Sequence, residues 1–177
     1  VYLSNQSSLS IGSSDMDNLV NLAKGLPRNR IRYCSHASPS DVVHEMFIVH
    51  PKGAYVRPHK HLNKIESMII LEGDADYVLF DEIGCVQEII HMGSYQSDKP
   101  FYQSIRSEQF HSLVIHSKWL IFLEVTQGPF NKKDTLFAEW SPRDNENKKV
   151  EKFIKKIIEN TAWVIFIRDK IVDFVKV

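Results

Sequence analysis

"GAYVRPHKHLNKIESMIILEG", residues 53–73, sets His59 and His61 one residue apart and Glu66 five positions further on, between Gly53 and Gly73. Read as a strand, "AYVRPHKH" (54–61) carries alternate side chains on one face, roughly 6.6 Å apart. His59 and His61 then point the same way, close enough to share one ion through bonds of ~2.0–2.1 Å. The turn "LNKI" is expected to reverse the chain and return Glu66 at the start of the neighbouring strand, as a third ligand. Gly53 and Gly73 fall at the outer turns, where a positive φ favours glycine. The best fourth ligand is His111, which opens "FHSLVIH" with Leu113 and Ile115 on its own face. An imidazole among apolar neighbours suits a ligand lining an interior. The site predicted is one divalent metal ion, zinc, iron, manganese or nickel, on His59, His61, Glu66 and His111. If no ion binds, each buried polar atom left without a partner costs ~1–3 kcal/mol.

Outward from this stretch, short β-rich runs continue from about 44 to 126. "MFIVH" (46–50), "SMIIL" (67–71), "YVLF" (77–80), "VQEIIH" (86–91), "FYQSI" (101–105), "FHSLVIH" (110–116) and "WLIFLEV" (119–125) read as strands separated by turn residues. Many short strands at this spacing predict a sandwich or a small barrel. No phosphate-binding glycine loop follows any of them.

Before the strands, residues 4–14 are polar and read as a mobile arm, with residues 1–14 set apart from a domain over 15–143. Ser14 reads as an N-cap, and Met16, Leu19, Val20 and Ala23 recur at helical spacing until Gly25 and Pro27. After the strands, residues 144–177 form an appendage. Val150, Phe153, Ile154, Ile157 and Ile158 make an apolar stripe opposite Lys148, Lys149, Lys152, Lys155 and Lys156, which predicts a helix. "AWVIFIRDKIVDFVKV" (162–177) is too short and too charged to span a bilayer. It is expected to pack on the domain or on a partner subunit, with a membrane surface as the lesser alternative.

The 177 residues carry 22 Lys+Arg against 22 Asp+Glu, which leaves no basic excess for nucleic acid and favours a small-molecule ligand, neutral or anionic. Cys34 and Cys85 lie far apart without a CxxC, so two free thiols in a reducing cytoplasm are expected. No signal peptide or transmembrane segment is read.

The pattern Gly53-x5-His59-x-His61-x4-Glu66-x6-Gly73 resembles the first motif of the cupin superfamily at every spaced position. The second cupin motif, Pro-x-Gly-x-x-His, is matched at "RSEQFH" (106–111) only by His111, with Arg106 and Glu108 in place of proline and glycine. Within that superfamily, "YVRPHKHLNKIES", "LEGDADYVLFDEIG", "FHSLV" and "FLEVTQGPFNKKDTLFAEWSP" resemble the WbuC family, over roughly residues 15–143. The resemblance implies a mostly β, small cupin or jelly-roll β-barrel with an N-terminal helix and a C-terminal helical appendage. It also implies a place in bacterial surface-polysaccharide (O-antigen) biosynthesis. Jelly rolls commonly pair through exposed edges, so a homodimer is expected.

Around the ligands, Tyr55 and Arg57 share the histidines' face. Arg57 reads as a clamp for a carboxylate or phosphate, or else as the partner of Glu66, Glu72 or Glu124. Pro58 suggests an edge or a bulge. Lys64, in the turn, and His36, in "YCSHASPSD", are further substrate-binding candidates. Tyr102 and Glu124 are candidate catalytic bases. His44, His50, His91 and His116 lack a partner pattern and read as structural or surface residues, and Trp119 and Trp140 as packing. Three functions compete: a sugar isomerase or epimerase using the metal as Lewis acid, a non-haem iron dioxygenase, and a non-catalytic saccharide-binding module.

Overall fold

A computed structural model describes residues 1–159. The expectations for residues 162–177 lie outside the described residues. The chain forms strands β1 (Tyr2–Leu3), β2 (Ile31–Cys34), β3 (Val43–Pro51), β4 (His59–His61), β5 (Glu66–Glu72), β6 (Asp74–Phe80), β7 (Val86–Gly93), β8 (Tyr102–Ile105), β9 (Phe110–Ile115), β10 (Trp119–Gln127) and β11 (Thr135–Phe137), with helix α1 at Ser13–Lys24. Residues 147–159 are helical.

Two sheets result, in the orders β1-β2-β3-β10-β5-β8 and β11-β4-β9-β6-β7. The inner quartets β3-β10-β5-β8 and β4-β9-β6-β7 form a double-sheet jelly roll. No strand pairing among the described residues joins the sheets into a closed barrel. The fold is mostly β, with the cupin-like two-sheet arrangement that the resemblance implies.

Strand parity explains the layering. On β3, Met46 and Ile48 face inward to a core shared with Met68, Ile70, Tyr77, Leu79 and Phe122. Val49, of opposite parity, meets Met16, Leu19 and Ala23 of α1 together with Ile121. On the other sheet, Val78, Phe80 and Val114 turn outward against Phe153, Ile154 and Ile157 of the C-terminal helical segment. Each helix thus covers the outer face of one sheet, which is why several strands are apolar on both faces. Ile158 of the predicted stripe stays exposed.

Some expectations change. Gly12, not Ser14, precedes α1, and its N–H donates to the Asp15 carboxylate at 2.8 Å. Residues 2–4 of the expected mobile arm are paired: β1 runs parallel to β2, and Ser4 N–H donates to Cys34 O at 2.9 Å. The predicted strand 54–61 narrows to β4, because Pro58 has no N–H to give a ladder. Val56 O instead accepts from the Ser112 hydroxyl at 2.6 Å, and Pro58 O accepts from Ala138 N–H at 2.9 Å. Gly53 and Gly73 take φ of +74° and +90°. A Cβ at Gly73 would collide with Ser117 Oγ and the Trp119 carbonyl, so that position requires glycine twice over.

Candidate metal centre

The four predicted ligands converge. One ligand atom from each of His59, His61, Glu66 and His111 lies within 4.8 Å of every other. Around a single ion with bonds near 2.1 Å, such atoms lie at most ~4.2 Å apart. To share one ion the four side chains would have to draw slightly closer together. His59 on β4 stands directly opposite His111 on β9, their ring centroids 4.5 Å apart.

Glu66 arrives differently from the expectation. β4 and β5 are not neighbours but belong to opposite sheets, so the 62–65 turn crosses the sandwich. Asn63 there has a φ of 54°, and its N–H donates to Glu108 Oε1 at 3.0 Å. Glu108 occupies the position where the second cupin motif carries glycine, and here it anchors the crossing turn.

The outer nitrogens fix the rings. His59 Nδ1–H donates to Arg57 O at 2.8 Å, and His111 Nδ1–H donates to Gln109 O at 3.0 Å. Since a carbonyl only accepts, both rings turn Nε2 inward as an unprotonated acceptor when neutral. His61 Nδ1 meets the Thr135 hydroxyl at 3.1 Å, across the β4–β11 register pair. Holding the outer nitrogen in this way is how metal-binding imidazoles are oriented.

The inward groups are electrostatically tense. His61 Nε2 lies 2.9 Å from Glu66 Oε2. His111 Nε2 lies 3.4 Å from Glu66 Oε1, yet it is buried without a hydrogen-bond partner. Burial pushes the Glu66 carboxyl up, but the adjoining His111 and His61 imidazoles outweigh it and hold the group well below its ordinary range. Burial pulls His111 down, and Glu66 more than restores it. Burial, then the neighbouring His111, lowers His59 to about 4. A cation among three imidazoles and a carboxylate would satisfy the orphaned nitrogen. The mixed N/O donor set suits zinc, iron, manganese or nickel.

The cluster opens into a cavity of about 480 Å³ between the sheets. Glu124 lines it, and burial followed by the charge of Glu66 pushes its carboxyl up to about 7. Tyr55 and Arg57 also line it, but both are engaged with the segment after β11. The Tyr55 hydroxyl donates to Pro142 O at 2.9 Å, and burial raises it to about 12. Arg57 donates to Ser141 Oγ at 3.0 Å and to Ala138 O at 2.9 Å, and its guanidinium lies over the Phe137 ring. Its hydrogen-bond partners are a hydroxyl and a carbonyl rather than Glu66, Glu72 or Glu124, and it keeps its place on the cavity wall. Lys64, the substrate-binding candidate of the turn, lines the cavity, where it donates to Pro129 O at 2.8 Å and pairs with Asp134 at 3.2 Å.

Two candidates fall outside the cavity wall. Tyr102 stands opposite Ile69 on the edge strand β8, out of phase with Glu66, and is 50% exposed. It cannot serve as the base. His36 stacks on His44 at 4.1 Å and accepts from Glu45 N–H at 3.2 Å, one layer behind the cavity lining. Sequence reasoning missed His44 and His50, which do line the cavity, and Tyr77, stacked on His111 at 5.5 Å. The parity of His44 with Met46 and Ile48 along β3 was the available signal.

A jelly roll with a three-histidine, one-glutamate cluster at the foot of an internal cavity fits a cupin-type metal-binding protein. Residues 11–92 match the family described as Domain of unknown function (DUF6016). No curated protein matches the chain. Among solved structures, protein SO0799 from Shewanella oneidensis is similar at a TM-score of 0.52 and 7% identity, over 72% of this chain and 85% of that one. Oxalate decarboxylase from Bacillus subtilis is similar at 0.45 and 22% identity, over 55% of this chain. CapF with bound 3-isopropenyl-tropolone is similar at 0.47 and 17%, over 62% of this chain and 31% of CapF. The chain spans 24% of the length of the decarboxylase, so these likenesses concern the fold. No helix among the described residues is long and apolar enough to cross a membrane.

Proposed function

We propose that the chain is a cupin metalloprotein of the WbuC kind that isomerises or epimerises a saccharide, working as a cytoplasmic homodimer. The observation that carries this reading is the ring of four ligand atoms within 4.8 Å, with every imidazole held by its outer nitrogen. A bound divalent ion would supply Lewis-acid polarisation of adjacent sugar oxygens. Glu124, facing the same cavity with a carboxyl near neutrality, is the group to take a proton from the carbon beside them. Tyr55 stays protonated and positions the wall.

Elemental analysis of protein purified without added metal, for wild type and His61→Ala in parallel, tests the centre. About one metal per chain in wild type and little in the variant supports it; none in either, with both folded, refutes it. Deuterium wash-in from D2O to candidate sugars, abolished in Glu124→Gln, tests the proton transfer. Bound iron with oxygen uptake and no wash-in would assign the dioxygenase reading instead.

A further inference from the structure

The cavity has a second pole on the opposite sheet. β2 and β3 pair with Ile31 opposite Val49 and Arg32 opposite Ile48, so Arg30 falls opposite His50 one step further along. Arg30, Arg32 and His50 all line the cavity. His50 Nδ1 is buried without a hydrogen-bond partner among the described residues. Neither arginine forms an ion pair among the described residues. Arg30 gives one of its five N–H groups to Tyr55 O at 3.2 Å, and the nearby acid, Asp144, is paired with Arg28 at 3.0 Å. Burial, then the charges of Arg30 and Arg32, lowers His50 to about 3, which keeps its ring neutral. Two guanidiniums and an orphaned imidazole nitrogen therefore share one end of the cavity, and none of the carboxylates on its wall, Glu66, Glu124 and Asp144, is ion-paired with either arginine. Arg57 and Lys64, by contrast, already have partners.

We propose that Arg30, Arg32 and His50 form a subsite for the anionic end, carboxylate or phosphate, of the cavity's small-molecule ligand. The anion accepts from both guanidiniums and from His50 Nδ1–H, which fills the vacant hydrogen bond and neutralises the paired arginines. The subsite stands on its own residues; that the ligand's other end is a sugar at the histidine ring rests on the function proposed above. The ligand class that joins the two poles is a sugar acid or a sugar phosphate.

Calorimetric titration of inorganic phosphate into chelator-stripped protein tests this, with wild type, Arg30→Gln, Arg32→Gln and His61→Ala compared after thermal melts confirm folding. The subsite requires phosphate binding in wild type, at least tenfold weaker binding in each arginine variant, and unchanged binding in His61→Ala. Glucuronate and glucose 6-phosphate, titrated next, distinguish the carboxylate from the phosphate form, with glucose as the uncharged control. Equal affinities across the four proteins, loss only in His61→Ala, no binding of any anion, or glucose binding as tightly as both anions would each overturn the proposal. Metal content measured on each preparation before chelator treatment separates the two readings: a wild type that carries no metal as purified but still binds phosphate through Arg30 removes the metal function and leaves the subsite standing.

Discussion

His61 Nε2 lies 2.9 Å from Glu66 Oε2, although the two residues belong to opposite sheets of the sandwich. The closest contact in the candidate metal ring is therefore also a contact between layers. Substitutions around it report on holding the ring and on holding the fold in separable ways.

Thr135→Val removes the hydroxyl at His61 Nδ1 while keeping the shape and β propensity of β11. Metal affinity should fall by about 10–100-fold, the usual cost of losing such an outer partner. Competition with a chromophoric chelator measures it, and the melting temperature of the metal-free protein should change little.

Arg57→Met keeps much of the side-chain volume over Phe137 but deletes the donors to Ser141 and Ala138. Loss of these charge-assisted bonds should lower stability by about 1.5–3 kcal/mol in urea denaturation. Metal content should be unchanged, because the guanidinium contributes nothing to the ring.

The two motif glycines should respond unequally. Gly53→Ala meets open space and bears only the left-handed φ, roughly 1–2 kcal/mol. Gly73→Ala adds a collision with Ser117 and the Trp119 carbonyl, so its denaturation midpoint should fall well below that of Gly53→Ala. Equal midpoints would contradict the geometry.

A pH signature should come from the other face of the sheet that carries the histidines. Asp76, 3% exposed, accepts from His91 Nδ1 at 2.6 Å and from His116 Nε2 at 2.8 Å. Burial pushes Asp76 up, but the hydrogen bonds from His116 and His91 outweigh it and leave its carboxyl below the ordinary value. The Asp76 bond raises His116 against its own burial. The Asp76 contribution is thus present above the unfolded carboxyl value and is lost as pH falls through the depressed folded one. The His116 contribution is full below the ordinary imidazole value and is lost as pH rises through the raised folded one. The stability gap between wild type and Asp76→Asn should be widest between those limits and narrow on both sides. Urea midpoints from pH 3 to pH 9 measure it.

Much of this was legible in one dimension because the residues concerned repeat with a period. His59 and His61 alternate on a strand, His111 shares its face with Leu113 and Ile115, and Met16, Leu19 and Ala23 recur at helical spacing. What escaped is short or depends on distant partners. β2 and β11 are four and three residues long, too few for a pattern to emerge. Glu66 was identified as a ligand but assigned to the wrong layer, since nothing in "LNKI" distinguishes a hairpin from a crossing. Arg57 showed the same limit: parity placed it on the cavity wall, while its partners lie 81 and 84 residues away.

The return of the chain through β11 has a mechanical corollary. Thr135, at one end of that strand, steadies His61, while Phe137, at the other, lies 6.0 Å from the His59 ring and beneath the Arg57 guanidinium. The strap that narrows the cavity is thus the same strap that braces two members of the ring. Any displacement of β11 wide enough to admit a bulky molecule slackens His61 as it opens the door, so admission and grip cannot be tuned independently. A variant selected for larger ligands through this strap should hold its ion more weakly.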